Sequence, residues 1–563
     1  MTCECSDNSA KVQHRLQADL LISYTGLMST KERFLQLQSL HRSGRHAEAA
    51  DGLAAALRLS PKEPNLLHLA ALVAEAQQEL PRAVMLFQRA LTAHPDWLEA
   101  EYNLARVLTI KGDLPDALTH WQRALKQQPQ QAEWRSMYLL NRRNICDWNG
   151  DVANIEGLPP QATIVLSDDA AIQKQSAEQY ARVKFGKIQP LPPPNWQAHD
   201  RLRIGYISAD FHAHATAYLM AELFSLHDKA KFEVFCYSYG VDDGSDIRMR
   251  LRIEAEHFAE LNKLTAAEAA MHIREDEIDI LIDLKGYTRG SRPEILAYRP
   301  AKMQMHWLGY PGTTGAPFID YFVGDNITLP EGSERFFTET LLRLPNSYQI
   351  NDRQRAIAPA PSRATYGLPE TGLVLASFNQ NYKITPELFI IWCEILRDMP
   401  KAVLWLYQSN QFAPDNLRRA AKTHGIDPAR LIFAESLPLD QHLARYAHVD
   451  LALDTFPVGG HTTTSDALWA GVPVVTMMGQ SFVSRAAASV LTAAGLPQLV
   501  TITPATYKEL VLELARDEAA RSDLKKHLTA NRLTLPLFDT PGFVKKLEDK
   551  LKACFHETVY TDG

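Results

Sequence analysis

Apolar positions in the first quarter of the chain recur with helical spacing and, on a longer scale, every 34 residues. Pro61, Pro95 and Pro129 mark the period. Upstream of each, the same offsets carry Ala49, Ala83 and Ala117, then Leu53, Phe87 and Trp121, then Ala56, Ala90 and Ala124. Small, large and small side chains spaced four and three residues apart share one helix face, where the alanines admit a partner helix and the large residue fills the gap. From Arg201 the texture changes to short apolar runs alternating with helical patterns. Arg203–Ser208, Phe232–Tyr237, Ile278–Asp283 and Lys302–Trp307 read as buried strands, with helices around Ala217–His227 and Ala266–Arg274. After Pro359-Ala-Pro361 a second series predicts strands at Leu373–Ser377, Ala402–Leu406, Leu431–Phe433, Leu451–Asp454 and Pro473–Thr476. Strands separated by helices imply parallel sheets, and two such series imply two doubly wound domains whose ligands sit beyond the carboxyl ends of the strands.

The 34-residue unit resembles the tetratricopeptide repeat, which pairs two helices per unit and usually offers a groove to a peptide. Trp134 to Trp148 continues helically as a cap, while Gly157-Leu-Pro-Pro160 and Gln189-Pro-Leu-Pro-Pro-Pro-Asn195 read as an irregular linker. The division expected is an N-terminal segment 1–30, repeats 31–150, a linker 151–200, α/β domains 201–360 and 361–540, and a C-terminal helix and tail 541–563. The fold class is therefore α plus α/β.

Composition narrows the function. With 563 residues, 46% hydrophobic and 22% charged, the chain has the balance of a soluble globular protein of several domains. A net charge of -7 without a polybasic run argues against nucleic acid, and no apolar run approaches a membrane span, so a cytoplasmic protein is expected. Cys3, Cys5, Cys146, Cys236, Cys393 and Cys554 show no zinc spacing and read as reduced thiols, so no metal is expected.

The most informative segment is Asp454-Thr-Phe-Pro-Val-Gly-Gly-His-Thr-Thr-Thr-Ser-Asp466. A strand ends, two glycines allow close backbone approach, and a helix begins in the threonines, leaving free amides and the positive dipole end to receive an anion such as a diphosphate. Asp466, one turn in, suits the hydroxyls of a ribose. The loop Ser377-Phe-Asn-Gln-Asn-Tyr-Lys383 follows the first strand of the same half and brings Lys383 as a cation and Gln380 as a neutral donor. In the other half, Asp210-Phe-His-Ala-His-Ala-Thr216 leaves the first strand with His212 and His214, either able to act as a base or to orient a hydroxyl. Trp307-Leu-Gly-Tyr-Pro-Gly-Thr-Thr-Gly315 is a glycine-rich loop at a strand end.

Together with Gly286-Tyr-Thr-Arg-Gly290 and the preceding repeats, these motifs, in this order, resemble the O-GlcNAc transferase family from about Trp134 to Leu537. The resemblance implies two Rossmann-like halves forming a GT-B fold, and inverting, metal-independent transfer of a sugar, GlcNAc by this reading, from a UDP donor to Ser or Thr of protein acceptors that engage the repeats. Carried over by motif, His214 takes the place of the proposed base, and Lys383 with Gln380 contacts the diphosphate. His461, Thr462 and Thr463 hold the phosphates and Asp466 the ribose. Leu437, Pro438 and Leu439 with His442 and Arg445 match the uridine-binding stretch, and Leu308, Gly309, Tyr310 and Val458 the sugar pocket. UDP-sugar is then a substrate, with no cofactor. The absence of an Asp-x-Asp motif agrees with charge neutralisation by Lys383 and a helix end.

Two departures stand out. Leu439 occupies a position where animal members have a lysine. The asparagine ladder of the family's peptide groove is reduced to Asn103, with Leu69 and Leu35 at the equivalent positions. Three other readings stay open: protein O-fucosylation from GDP-fucose, as in the SPINDLY group; transfer to a glycan or lipid-linked acceptor; and a repeat scaffold with a degenerate transferase domain.

Overall fold

The computed structural model describes residues 30–149 and 154–561. Cys3 and Cys5 lie outside them. Two compact units divide at Arg142/Arg143.

In the first unit, helices Thr30–Arg42, His46–Leu59, Pro64–Ala76, Leu80–Ala93, Leu98–Lys111 and Leu114–Gln127 follow the 34-residue period, and Ala132–Asn144 continues from them. The predicted columns are the buried ones: Ala83, Phe87, Ala90, Ala117 and Ala124 are fully inaccessible, and Trp121 is 1% exposed. Each unit buries its alanine face against the next, as the period requires. Asn103, expected to line a peptide groove, is instead buried, with its amide against His68 Nε2 at 3.1 Å and its oxygen accepting from Arg106. Leu69 is buried and Leu35 exposed, so no asparagine ladder forms.

In the second unit, β1 (Leu202–Ser208), β2 (Phe232–Ser238), β3 (His257–Glu260), β4 (Ile280–Asp283), β5 (Met303–His306), β6 (Tyr321–Asp325) and β7 (Thr340–Leu344) form one parallel sheet in the order 3-2-1-4-5-6-7. β8 (Val374–Ser377), β9 (Val403–Tyr407), β10 (Leu431–Ala434), β11 (Leu451–Leu453), β12 (Val474–Met477) and β13 (Val500–Thr501) form a second, in the order 10-9-8-11-12-13. Both are doubly wound, with switch points beside β1 and beside β8. The nine predicted strands are present. β3, β6, β7 and β13 were not anticipated: β3 is largely solvent-facing and β13 is two residues long, so neither carries a clear apolar run.

Both faces of the first sheet are covered at its centre, which is why its central strands are largely apolar. On one face Ile204, Tyr206, Ile282 and Met305 pack with Phe543, Val544, Leu547 and Leu551 of the C-terminal helix Thr540–Thr561. On the other, Ile207, Tyr237 and Leu281 pack with Ile164, Ala177, Ala181 and Phe185. These last residues correct the linker expected at 151–200. They lie on helices Pro160–Leu166 and Ala170–Phe185, which belong to the first α/β core. The flanking prolines hid them. The predicted helix Ala217–His227 is two short ones, Ala215–Met220 and Leu223–Leu226, broken where Glu222 receives Arg353.

Cys146, Cys236, Cys393 and Cys554 are buried, and burial pushes the Cys393 and Cys554 thiols up to about 11. No helix among the described residues is long and apolar enough to cross a membrane.

Candidate active site

The two switch points supply the site. β8 ends in Ser377 and runs through Asn379 and Gln380 into a short 3-10 turn, Asn381–Lys383. β11 ends beside Asp454, and the loop 455–460 leads to the helix Thr462–Trp469. Asp454 ties this loop down: it accepts from Gly460 N at 2.7 Å, Asn379 Nδ2 at 3.2 Å and Thr476 Oγ1 at 2.6 Å. Burial raises its carboxyl, against the pull of these bonds and of Lys383. Gly460 is needed for close approach, since a Cβ there would meet Thr464 Oγ1 at 2.5 Å and Thr463 Oγ1 at 2.6 Å.

Lys383 Nζ donates to the carbonyl of Gly459 at 2.9 Å and faces Asn379 Oδ1 at 3.3 Å. Its cation thus stands at the amino end of Thr462–Trp469, where no side chain caps the helix and the first-turn amides are available to an anion. Burial, only partly offset by Asp454, brings Lys383 down to about 8. His461 immediately precedes the helix. Burial and the neighbouring Lys383 push its ring down to about 3, so it is neutral. Thr463 Oγ1 donates to Asn379 Oδ1 at 2.8 Å, which orders the first turn. Gln380 is exposed at the rim.

Asp466 is buried and accepts from Arg355 at 2.8 Å. Burial raises its carboxyl to about 6, with Arg355 opposing. Leu437 is half-buried, Pro438 exposed, and Leu439 packs on the second core at the start of Leu439–Arg445. The His442 ring, pushed down to about 3 by burial and Arg445, lies edge-on between Phe378 and Tyr446. The Arg445 guanidinium is buried against the Phe378 ring and donates from Nη1 to the Glu435 carbonyl at 3.0 Å, supporting the 435–439 loop, while its Nε and Nη2 have no hydrogen-bond partner among the described residues.

Across the cleft, His214 caps Ala215–Met220, its Nδ1 accepting from Thr216 N at 3.2 Å. Burial lowers the ring pKa, opposed by Asp210 and reinforced by Lys285. Nδ1 also lies 3.5 Å from Asp210 Oδ2; with Nδ1 accepting from Thr216 N, a neutral ring would carry its proton on Nε2 and present a donor to a hydroxyl. Asp210 is taken up by Lys285 at 2.6 Å. The glycine-rich loop is fixed by His306, whose Nδ1 meets Asp283 Oδ2 at 3.0 Å and whose Nε2 meets the Tyr310 carbonyl at 2.8 Å. Both partners only accept, so His306 is held protonated, and Asp283 raises its pKa although burial alone would lower it. Leu308 adopts a positive φ of 72°, and Gly309 abuts the Leu284 carbonyl at a distance no Cβ could tolerate. The Tyr310 ring is in the core against Tyr287 and Val458 is buried, which leaves Leu308 and Gly309 as the part-exposed members of the expected sugar pocket.

The structure thus brings Lys383, His461, Thr462, Thr463 and Asp466 to one end of the second sheet, with His214 and the Leu308–Tyr310 loop at the corresponding end of the first. Sequence reasoning missed Asn379, Tyr348 and Arg355, and gave Asp454 no role. Asp454 had a signal as the last charged residue before Gly-Gly; Tyr348 and Arg355 sit in a patternless connection. Among the described residues, Glu233, Glu256 and His257 could group around a metal, but they line the β2–β3 edge, where Arg201 and Arg203 already pair with the carboxylates.

Two doubly wound sheets with an anion seat at a switch point fit many nucleotide-sugar enzymes, and comparison with known proteins decides among them. Residues 158–360 and 357–547 match glycosyl transferase family 41, and residues 74–139 match the tetratricopeptide repeat. The chain belongs to glycosyl transferase family 41. Similar proteins include the probable UDP-N-acetylglucosamine–peptide N-acetylglucosaminyltransferase SEC of Arabidopsis thaliana. It is 38% identical over 379 residues, 66% of this chain and 39% of that protein. The UDP-N-acetylglucosamine–peptide N-acetylglucosaminyltransferase of Caenorhabditis elegans is 30% identical over 468 residues, 63% of this chain and 41% of that protein. The chain therefore spans about two fifths of the length of these curated relatives. A solved mutant of the Thermobaculum terrenum O-GlcNAc transferase superposes with a TM-score of 0.72 at 29% identity, covering 95% of this chain and 100% of that one. The architecture is that of tetratricopeptide repeats followed by a GT-B fold.

Proposed function

We propose that the chain transfers N-acetylglucosamine from UDP-GlcNAc to serine or threonine hydroxyls of protein acceptors, with inversion at the anomeric carbon. One observation carries this reading beyond family membership: Lys383 is held by the Gly459 carbonyl at 2.9 Å at the open amino end of Thr462–Trp469. That is where a departing diphosphate would gather negative charge.

The chemistry follows from the placement. The acceptor oxygen bonds to the anomeric carbon as the bond from that carbon to the β-phosphate oxygen breaks, and UDP takes the electron pair. Lys383, the first-turn amides of Thr462 and Thr463, and His461 Nε2–H stabilise the growing charge; each such preorganised donor is worth on the order of 10²-fold or more in rate. Asp466 accepts from the ribose hydroxyls, and Leu437–Leu439 with His442 hold the base. His214 Nε2–H orients an oxygen of the acceptor or the sugar. The acceptor proton leaves through water or the donor's own phosphate. The protein's net charge of -7 makes these local devices the source of anion affinity. The reading also places the chain in an intracellular compartment with its substrates.

Incubation with UDP-GlcNAc, UDP-glucose and GDP-fucose, with nucleotide release as the readout, tests the donor. Release from UDP-GlcNAc in excess over the others is expected. Preference for GDP-fucose, or no release from any donor, would overturn the reading.

A further inference from the structure

Tyr348 lies in the connection between the two sheets and reaches the residue that opens the anion seat. Its hydroxyl is 2.6 Å from His461 Nδ1, with the two rings perpendicular at 87°. The first half fixes it: its amide donates to Asp325 Oδ2 at 2.6 Å, and its carbonyl accepts from Trp307 Nε1 at 2.9 Å. Its ring packs edge-on to Phe482 and is fully inaccessible.

Two hydrogen arrangements fit an oxygen and a nitrogen at this distance. If the imidazole donated to the phenol oxygen, the phenolic hydrogen would be buried with no acceptor, since among the described residues the hydroxyl has no second partner. Folded proteins avoid such unmet donors. The phenol therefore donates to Nδ1, and a neutral imidazole then has its only proton on Nε2. Nε2 makes no hydrogen bond to protein among the described residues, so this N–H is left for a ligand.

We propose that Tyr348 is a positioning residue for the donor: by donating to Nδ1 it locks His461 in the Nε2–H form and commits that N–H to the diphosphate. The inference rests on the donor reading given above. It explains why a neutral group stands beside Lys383: a second cation there would be repelled by the lysine, whereas a fixed N–H adds a hydrogen bond to phosphate without that penalty. It also makes the halves interdependent, because the tautomer of a residue in the second is set by a ring anchored in the first.

Tyr348→Phe keeps the ring and removes the hydroxyl. In ligand-free protein with ¹⁵N-labelled histidine, long-range ¹H–¹⁵N spectra should show His461, identified by loss of its signals in His461→Ala, as the pure Nε2–H form. In Tyr348→Phe it should become a mixture. UDP titrated by calorimetry should bind Tyr348→Phe about five- to tenfold more weakly than the unmodified chain, the scale of one hydrogen bond. In a His461→Ala background the same substitution should cost nothing further. A pure Nε2–H form persisting in Tyr348→Phe, unchanged UDP affinity in that variant, or an equal loss in the His461→Ala background would overturn the inference while leaving the donor reading intact. No UDP binding by the unmodified chain would overturn both.

Discussion

Arg355 donates from Nη1 to Oδ1 of Asp466 at 2.8 Å, tying the connection between the sheets to the helix of the anion seat. Both side chains are buried, and the guanidinium lies over the Trp469 ring at 4.8 Å. In the proposed reading Asp466 would therefore meet a ribose with one oxygen already paired. Asp352 and Arg532 also act on Arg355, and Tyr446 lies near the carboxylate. Since the Asp466 carboxyl titrates at about 6, donor affinity should fall as pH drops through that value and the acceptor oxygens are lost. Arg355→Met should move the break upward and lower unfolding stability by about 3–5 kcal/mol, the scale for breaking a buried pair. UDP titrations from pH 5 to 8, with thermal melts, check both.

Lys383→Ala should reduce turnover by at least about 10²-fold while leaving the fold intact and weakening UDP binding much less, because the ammonium matters most when charge develops on the leaving group. Rates of nucleotide release and calorimetric UDP affinity separate the two effects. Unchanged turnover would remove Lys383 from the mechanism.

The same lysine sets an alkaline limit. With its ammonium at about 8 in the free protein, kcat/KM for the donor should decline above that pH as the neutral amine forms. The decline in kcat should lie higher, since a bound diphosphate holds the proton on. Coincident limbs in the two profiles would contradict the assignment.

His214 should tolerate a donor in place of a base. Asparagine cannot take up the acceptor's proton but can donate, so His214→Asn should retain clearly more activity than His214→Ala. Equal, large losses in both would favour proton abstraction by the ring.

How much of this was legible beforehand differs by element. The repeats were readable because a 34-residue period repeats one packing solution, so Ala83, Phe87 and Ala90 disclose their own burial. The nine predicted strands were readable because a parallel strand covered on both faces must be apolar throughout, as Tyr206-Ile207 between two cores shows. The helices at 160–185 were not, because prolines on either side mimic a linker while Ala177 and Phe185 pack on a sheet that begins later in the chain. At the site, Lys383 and His461 announce themselves by following strand ends. Tyr348 and Arg355 do not, since their meaning lies in partners 113 and 111 residues away. Arg445 is a related case: sequence shows a cation near the nucleotide stretch but not that it packs against Phe378.

The central claim is best tested on the product. The purified chain, a protein acceptor and UDP-GlcNAc should yield acceptor heavier by one N-acetylhexosamine, and NMR of the isolated glycopeptide should show a β-linkage to serine or threonine, the outcome of a single inversion. An acceptor that stays unmodified across a broad protein set while UDP is released, or a sugar joined through an α-linkage, would contradict the account.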